Sequence, residues 1–376
     1  MRTGCPLLRW PWSIWSRAQD RQSAWRSNAK MNCPPGDPLF SLHPKEYPMK
    51  HHAVLILLAP LLAVAAEKEQ DGFSGTFQLG VSHYQLASNF LKAPNDGRPS
   101  AASLTQSPAS QSGTAPLIEG EWSYGFAGTG TRLFISPSNT STFAAGGGLQ
   151  LGVRQQLPQA GAVSAALTYG QSEVWLDPYA LNVARQDGKL KSAGLALGWS
   201  NILNTPFSAS FSYARQKLDN EQSGQAQGLT LANQALLRRN GDNYGVQAAY
   251  AWKLDSQGAH TLTPGLIYAR ADLDGKAMST RRYGMQLAYA YQGANWDATT
   301  SLAALRTRYQ AGNPVFAGQK ADSRDALLSL GLTRKNLFGA KAWSAFLSGN
   351  YGRSSSDLAY FNAHIREVSI GLGYHL

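Results

Sequence analysis

Apolar and polar side chains alternate along most of the chain beyond Gln70, in segments about ten residues long. A period of two residues is that of a β-strand whose two faces meet different surroundings. The C-terminus shows the pattern most clearly, because its apolar positions share one face: Val368, Ile370, Leu372, Tyr374 and Leu376. Such segments predict an all-β chain of about 14 strands, within a range of roughly 12 to 16.

The second face of these segments consists of small and polar residues. In one of them, for example, Gly245 and Gln247 lie opposite Tyr244 and Val246. A soluble sandwich buries its apolar face against a second sheet, whereas a small and polar second face suits a water-filled interior. The alternation therefore predicts a transmembrane, antiparallel, up-and-down β-barrel.

The connections between the segments support this architecture. Short joins are expected at 128–130, 158–161, 201–205, 255–259, 292–294 and 336–340, and longer ones at 87–115, 176–188, 218–239 and 311–321. Short periplasmic turns and longer extracellular loops are typical of outer-membrane barrels, and here they are expected to alternate strictly. An even number of strands then leaves both termini in the periplasm.

Residues 49–66 have the parts of a secretory signal peptide. A basic start at Lys50 precedes an apolar run over 53–66, and small residues predict cleavage near Ala65 or Ala66. The alternative is a membrane-spanning helix, which needs about 20 apolar residues, more than this run provides.

The predicted signal peptide separates an upstream extension from the part of the chain that is exported. Residues 1–48 are expected to be a mis-annotated upstream extension without structure, and residues 67–376 to form the barrel. Cys5 and Cys33 are the only cysteines. Because both lie upstream of the predicted cleavage site, the exported chain has neither a disulfide nor a cysteine-bound metal.

Composition and charge narrow the possible functions. The chain contains 37 Gly, 16 Tyr and 10 Trp, 15% of its residues are charged, and its mean hydropathy is −0.29. A membrane barrel gives such a soluble-looking average because lipid-facing and lumen-facing residues alternate. The net charge of +11 is scattered along the chain, so it does not indicate binding of nucleic acid. No cofactor is expected.

Polar side chains on the predicted inner face are the candidate pore lining: Glu119, Glu121, Gln150, Arg154, Gln247, Gln286, Asp297, Asp325 and Glu367. Lining groups replace part of a solute's hydration, and rings of charge set ion preference. The alternative is that these groups fill and hydrogen-bond a closed interior. Contact with lipid is excluded, because an unpaired charge at the bilayer midplane is strongly unfavourable.

A second set of candidates lies where strands meet the longer loops: Trp175, Asp177, Pro178, Tyr179, Arg185, Arg239 and Asp242. These residues could line an extracellular entrance or belong to a loop that folds inward as a constriction. The alternative for Asp-Pro-Tyr is a turn that fixes loop geometry. Arg238 and Arg239 could contact lipopolysaccharide phosphates or the solute, or simply be solvated charges at a strand end.

An enzyme is not expected. The histidines beyond the predicted signal peptide lie on distant strands: His83, His260, His364 and His375. None has the spacing of a zinc site or the His-x-Ser pairing of the outer-membrane phospholipase. A catalytic Asp/His arrangement could still assemble from extracellular strand ends. No metal site is expected.

The last residues resemble the β-signal by which the outer-membrane assembly machinery recognises its clients. Gly371, Tyr374 and Leu376 follow its pattern of a glycine and then alternate apolar residues at the C-terminus. Such clients usually end in Phe, so Leu376 departs from the pattern in a way that can weaken recognition.

A further resemblance covers most of the predicted barrel. It rests on Gly72-Phe73-Ser74-Gly75, on Val174-Trp175-Leu176-Asp177-Pro178-Tyr179 with Asn182 and Arg185, and on Arg239-Asn240-Gly241-Asp242-Asn243-Tyr244. These stretches resemble the uncharacterised Gram-negative family called domain of unknown function 2860. The resemblance implies an outer-membrane, barrel-like protein and carries no assigned activity.

The sequence thus predicts a channel or porin of the Gram-negative outer membrane for a small hydrophilic solute. A structural or surface-interaction barrel with a plugged lumen is the alternative, and an outer-membrane hydrolase is a third and weaker one. The expected partners are outer-membrane lipid and lipopolysaccharide, the outer-membrane assembly machinery and the solute. The sequence does not predict the oligomeric state.

Overall fold

The structure is a computed structural model, and it describes residues 71–93, 101, 103–138 and 148–376. The predicted upstream extension and signal peptide lie outside the described residues. The strands are β1 (Gly72–Ala87), β2 (Ser110–Phe126), β3 (Thr131–Pro137), β4 (Gly148–Leu157), β5 (Gly161–Trp175), β6 (Asp187–Ser200), β7 (Phe207–Leu218), β8 (Gly241–Tyr250), β9 (Trp252–Lys253), β10 (His260–Leu273), β11 (Thr280–Gln292), β12 (Trp296–Tyr309), β13 (Ser323–Arg334), β14 (Trp343–Ser356) and β15 (Ala363–His375).

The strands form one closed antiparallel sheet. Each pairs with its neighbours in the chain, and β1 pairs with β15 from Thr76 opposite His375 to Ala87 opposite His364. Both β8 and β9 pair with β10, so they count as one strand of the barrel, which therefore has 14 strands. This confirms the predicted up-and-down barrel and its strand number.

The two ends of the barrel differ in their connections. At one end, the turn end, the joins are short, and Gly72 and His375 also lie there. At the other, the loop end, the joins include long segments at 88–109, 176–186, 219–240 and 310–322. The expected strict alternation of short turns with longer loops is wrong for two of the joins. The joins at 274–279 and 357–362 lie at the loop end but are as short as turns, because each forms a compact hairpin connection.

The second strand also begins earlier than expected, because the predicted join ran over 87–115. Strand β2 begins at Ser110, which pairs with Ala87 of β1. Residues 110–114 are polar and small, so they lack the apolar face from which the strand was predicted. Here the β1–β2 hairpin extends past the apolar part of the barrel.

The two faces of the sheet have opposite chemistry. Large apolar side chains on the outer face are strongly exposed, as Ile118 (64%), Leu167 (70%) and Ile370 (63%) show. Their neighbours along each strand face inward and are mostly small or polar toward the turn end, with buried apolar residues nearer the loop end. A broad exposed apolar surface on a closed barrel marks contact with lipid.

Among the residues that the structure describes, helical structure is confined to short segments such as α1 (Leu231–Ala235), which lies within the 219–240 loop. In the part of the chain that the structure describes, no helix is long and apolar enough to span a bilayer.

Candidate functional site

Side chains on the inner face of the barrel are accessible to water near the turn end and buried near the loop end. On β12, Thr299 and Ser301 toward the turn end are partly exposed, whereas Ala303, Leu305 and Thr307 toward the loop end are buried. Strands β7 and β13 show the same gradient. The lumen is therefore a vestibule at its turn half and a packed interior at its loop half.

A carboxylate network lies near the middle of the inner face. Ser82 Oγ donates to Glu367 Oε1 at 2.5 Å, and Asn350 Nδ2 donates to Glu367 Oε2 at 3.3 Å. Glu119, on β2, also faces inward. Two inward carboxylates therefore lie on nearby strands of this part of the inner face.

An apolar layer lies in the lumen nearer the loop end. Its buried members pack into one cluster: Tyr84, Leu86, Ala93, Ala115, Ile267, Ala303, Leu305, Leu327 and Ile365. They come from β1, β2, β10, β12, β13 and β15 and from the loop after β1. These strands follow one another around one side of the closed sheet, so the cluster lines that side of the interior and includes Ala93 of the first loop.

A charged layer lies beside the apolar one, close to the loops. Arg282 Nε donates to Thr307 Oγ1 at 3.0 Å, and Thr307 Oγ1 donates to Asp325 Oδ2 at 2.6 Å. Ser323 Oγ donates to the other Asp325 oxygen at 3.0 Å, and Arg282 lies 3.6 Å from that carboxylate. The buried Asp325 is thus hydrogen-bonded and paired, as a buried charge requires.

Above these layers, the loops pack together into a hydrophobic cap. Its buried residues are Ala101, Tyr179, Leu237, Ala277, Ala321, Leu358, Tyr360 and Phe361, and partly buried residues packed on them include Phe90, Met278 and Phe316. They come from six of the loops, which leave the barrel rim at positions around its circumference. Loops from separated parts of the rim can meet only over the opening, so the cap covers the loop end.

Tyr179 is the centre of the cap and is fully buried. Its ring stacks on Tyr360 at a centroid distance of 5.8 Å and meets the edge of Phe90 at 5.7 Å. Asn313 Nδ2 donates to the Tyr179 hydroxyl at 2.9 Å, and the Tyr360 hydroxyl donates to the carbonyl of Pro178. Burial raises the pKa of the Tyr179 phenol far above its usual range, so the ring stays neutral.

Asp177 connects two of the loops. One of its oxygens accepts from the backbone N–H of Tyr179 at 3.1 Å and of Gly224 at 3.0 Å, and the other from that of Ala226 at 2.9 Å. The carboxylate is 5% exposed. Because hydrogen bonds to a carboxylate are stronger than neutral ones, Asp177 fixes the 219–240 loop to the 176–186 loop.

A buried ion pair supports the same junction. Arg239 Nε lies 2.7 Å from Glu221 Oε1, and both side chains are 8% exposed. Arg239 Nη2 also donates to the carbonyls of Trp175 at 2.7 Å and Leu176 at 3.0 Å. The buried guanidinium of Arg185 lies 4.1 Å from the centroid of the Trp175 ring.

The structure brings together six of the seven entrance candidates at this junction: Trp175, Asp177, Pro178, Tyr179, Arg185 and Arg239. Asp242 is separate, because it lies on the outer face and accepts from the Tyr213 hydroxyl at 2.9 Å. Arg238 borders a surface cleft on the 219–240 loop, with a volume of about 530 Å³.

All nine candidate pore-lining residues face inward: Glu119, Glu121, Gln150, Arg154, Gln247, Gln286, Asp297, Asp325 and Glu367. Glu121 is exposed and belongs to the vestibule. Asp297 pairs with Lys335 at 2.9 Å, and the Arg154 guanidinium lies 5.7 Å from the Phe134 ring centroid.

The glutamines among them are hydrogen-bonded within the wall. Gln150 Nε2 donates to Ser136 Oγ at 3.0 Å, and Gln247 Nε2 lies 3.4 Å from Gln286 Oε1. These contacts follow the inner surface of the sheet without crossing it.

Several residues of this region were missed in the sequence. Arg132, on the short strand β3, faces inward and donates to Ser74 and Ser123, each at 2.9 Å. Tyr360 and Phe361 form part of the cap, and the signal that could have identified them is two adjacent aromatics in a short loop, where polar residues are usual.

The C-terminal residues of the predicted assembly signal lie at the seam of the barrel. Gly371 pairs with Gly80 of β1, and the ring of Tyr374 meets that of Trp343 at 5.1 Å on the outer face. The backbone N–H of Leu376 donates to the carbonyl of Gly75 at 2.9 Å. Their part in recognition by the assembly machinery stays a prediction.

The histidines are dispersed over the barrel. His364 Nε2 lies 2.8 Å from Ser110 Oγ on the outer face, but no carboxylate of the described residues contacts the ring. A Ser–His pair needs a third group to orient the imidazole. Within the same residues, no three His, Cys, Asp or Glu side chains are placed to hold a metal ion.

Comparison with known proteins gives a family match. The family model described as "Protein of unknown function (DUF2860)" matches residues 72–375. No curated protein matches the sequence.

Solved structures with a similar chain course share little sequence with this chain. OmpT, an outer-membrane protein of Vibrio cholerae, is 10% identical with a TM-score of 0.38, over 83% of this chain and 100% of that one. A FadL homologue of Pseudomonas aeruginosa is 11% identical with a TM-score of 0.39, over 81% and 89%. An anion-selective porin from Comamonas acidovorans is 12% identical with a TM-score of 0.35, over 81% and 100%.

Proposed function

The chain belongs to the family described as protein of unknown function (DUF2860), and from that premise we propose that it is a gated channel of the Gram-negative outer membrane for a small hydrophilic solute. The turn end faces the periplasm and the loop end faces the exterior. The cap and the packed layers beneath it are the gate.

The outer face supports the membrane location. Leu, Ile, Val and aromatic side chains cover it, and the closed sheet satisfies its own backbone hydrogen bonds without a free edge. A closed barrel is one of the two structures that can cross a bilayer, since unpaired backbone groups in hydrocarbon are strongly unfavourable. Trp252, Trp296 and Trp343 are exposed near the turn end, at the level where amphipathic rings meet lipid headgroups.

The gradient along the lumen is the observation that supports a gated channel best. The periplasmic half has partly exposed Ser, Thr and charged side chains, which suit water and a hydrophilic solute. The external half is blocked by packed side chains and covered by loops. Loops are the elements most able to move while the barrel stays closed. A cap of loops can therefore open without disturbing the wall.

Conductance across a planar bilayer tests the proposal. We expect the unmodified protein to be mostly closed, and Tyr179→Ala to give more frequent stepwise openings, because truncating a buried aromatic destabilises its surroundings by about 3–5 kcal/mol. The matched control is Leu231→Ala, because Leu231 is an apolar loop residue that is 83% exposed. This control should leave conductance unchanged.

A reversible lock sharpens the test. Leu91, in the first loop, and Val174, on β5, are bridge partners, and the hydrogen bonds flank them at Lys92–Glu173 and Trp175–Phe90. Such a non-hydrogen-bonded pair has Cα atoms about 4.5 Å apart, which a disulfide can span. Leu91→Cys combined with Val174→Cys should therefore abolish the openings when the disulfide is oxidised and restore them on reduction. The conductance of either single variant should not respond to the reductant.

The vestibule gives a separate prediction for ion preference. Glu121 is inward and exposed, so its carboxylate attracts cations to the periplasmic half. We expect Glu121→Gln to shift the reversal potential in a salt gradient toward anions. An unchanged reversal potential in open channels would show that ions do not pass this residue.

A barrel with a permanently plugged lumen is the second candidate. The packed loop half favours it, and the cleft on the 219–240 loop offers a surface for an external partner. Silence in the bilayer from every variant, including the reduced double-cysteine protein, would favour this function over a channel.

A further inference from the structure

Arginines gather on the outer face of the barrel at the loop end of three adjacent strands. Arg281 of β11, Arg306 and Arg308 of β12, and Arg324 of β13 are all exposed. Their neighbours Arg282, Thr307 and Ser323 face inward, so the alternation of the strands places these four on the outer face. We call Arg281, Arg306, Arg308 and Arg324 the arginine patch.

The register of the sheet places these arginines directly opposite one another. Arg281 is the cross-strand partner of Arg308, and Arg306 is that of Arg324. Directly opposite residues have Cβ atoms about 4.5–5.5 Å apart, and like charges in such pairs are destabilising. Two adjacent like-charged pairs therefore concentrate positive charge on a small area of the wall.

Some other cations on this end of the outer face have acidic partners. Arg270 of β10 lies 2.9 Å from Asp272, and Lys217 of β7 lies 3.1 Å from Asp219. No ion pair among the described residues includes a member of the arginine patch. The patch thus has a net charge that the protein leaves uncompensated.

The patch lies at the boundary of the apolar outer surface. Along β12, the outward positions run from exposed Leu302 through Ala304 to Arg306 and Arg308. On β11, exposed Met285 and Tyr283 precede Arg281 in the same direction. A lipid whose chains cover Leu302 and Met285 would bring its headgroup to the level of the arginines.

We propose that the arginine patch binds the phosphate groups of a lipopolysaccharide molecule in the outer leaflet. The location of the patch in the outer leaflet rests on the proposed function, which places the loop end of the barrel outside the cell. Guanidinium groups pair with phosphate through two parallel hydrogen bonds, and long side chains reach the headgroup level while their stems stay on apolar surface. A phosphorylated headgroup also removes the repulsion between the opposed arginines.

The test measures binding of purified lipid A to the full barrel in detergent micelles. We expect Arg306→Ala combined with Arg324→Ala to weaken binding of bisphosphorylated lipid A by about tenfold or more, because charge-assisted hydrogen bonds are lost. Dephosphorylated lipid A should bind the unmodified protein as weakly as the variant binds the phosphorylated lipid. Inorganic phosphate should compete only poorly, since it has no acyl chains to cover the apolar surface.

The matched control is Lys217→Ala, which removes an outward cation at the loop end of β7 whose charge is already paired and which lies opposite no member of the patch. Equal weakening by this control, or no weakening by the double variant, would overturn the proposal. Retained heat-modifiable migration in gels establishes that each variant is folded. Bilayer conductance separates this inference from the channel: a silent barrel that binds lipid A through the patch contradicts only the channel, and a conducting barrel that does not bind it contradicts only the patch.

Discussion

Asp177 shows how one residue can determine the geometry of two loops. Its carboxylate accepts three backbone N–H groups, of Tyr179, Gly224 and Ala226. We expect Asp177→Ala to leave these donors without their acceptor, at about 1–3 kcal/mol each where they stay buried. The 219–240 loop should then become more susceptible to limited proteolysis, and the channel should open more often. Both are measurable on purified protein.

Asp274→Ala is the matched control for this substitution. Asp274 is an exposed loop residue at the same end of the barrel, so its removal should change neither proteolysis nor conductance. Proteolysis of the 219–240 loop that is unchanged in Asp177→Ala would show that the carboxylate does not hold the two loops together.

Sequence reasoning reached this segment but did not decide its role. Asp-Pro-Tyr could fix a turn or belong to an inward constriction; in the structure Asp177 accepts hydrogen bonds from two loops and Tyr179 lies in the cap. The physical reason is that a turn motif specifies only local backbone geometry. The partners of Tyr179, among them Phe90, Asn313 and Tyr360, are distant in sequence and become neighbours only when the barrel closes.

At the scale of the strand, closure of the barrel depends on glycine at the seam. A Cβ at Gly371 would press on the carbonyl oxygen of Leu79 and lie 2.7 Å from both Gly80 Cα and Phe346 Cε1. We expect Gly371→Val to prevent pairing of β1 with β15. Loss of heat-modifiable migration and of protein from the outer-membrane fraction would show this.

The neighbouring strand provides the control. A Cβ at Gly349 of β14 would find its nearest neighbour, the Glu367 carbonyl oxygen, at 3.9 Å, so Gly349→Ala should assemble normally. Normal assembly of Gly371→Val would mean that the seam adjusts, and the steric account of this glycine would then fail.

The strands themselves were predictable because lipid and water impose a period of two on each segment that spans the wall. The start of β2 was missed since Ser110 and its neighbours lie beyond the apolar surface, where nothing imposes the alternation. Asp242, which was expected at an entrance, instead shares the outer face of Tyr244 and Val246, because the alternation of β8 continues to its loop end.

The cap, as a unit, should respond to strongly alkaline pH. Burial raises the folded-state pKa of Tyr179 above the unfolded value of about 10. The neutral phenol therefore stabilises the cap fully below about pH 10, and this stabilisation is lost as the pH rises toward the folded-state pKa. Openings should become more frequent above that pH, and Tyr179→Phe, which cannot ionise, should stay closed to higher pH. An identical alkaline onset in both proteins would exclude Tyr179 as the responsible group.

At the scale of the whole molecule, the strands repeat regularly around the barrel, but the interior differs between its two ends. The inner face is accessible to water at the turn end and covered by packed side chains at the loop end. The sequence predicted the inward polar residues, but it did not indicate which of them water reaches. That depends on the packing of loops over the opening, and such long-range contacts leave no periodic signal along the chain.

This asymmetry makes a direct prediction for single cysteines on one strand. Thr299 and Thr307 of β12 both face inward, and the first is partly exposed whereas the second is buried. With Cys5 and Cys33 replaced by serine, Thr299→Cys should react quickly with a water-soluble maleimide. Thr307→Cys should react slowly, and Asp177→Ala should accelerate it selectively, because opening the cap admits water to the loop half. Similar rates at both positions would mean that water fills the whole barrel. If Asp177→Ala does not change the rate at Thr307→Cys, the lumen is closed by the side chains beneath the loops and not by the loops themselves.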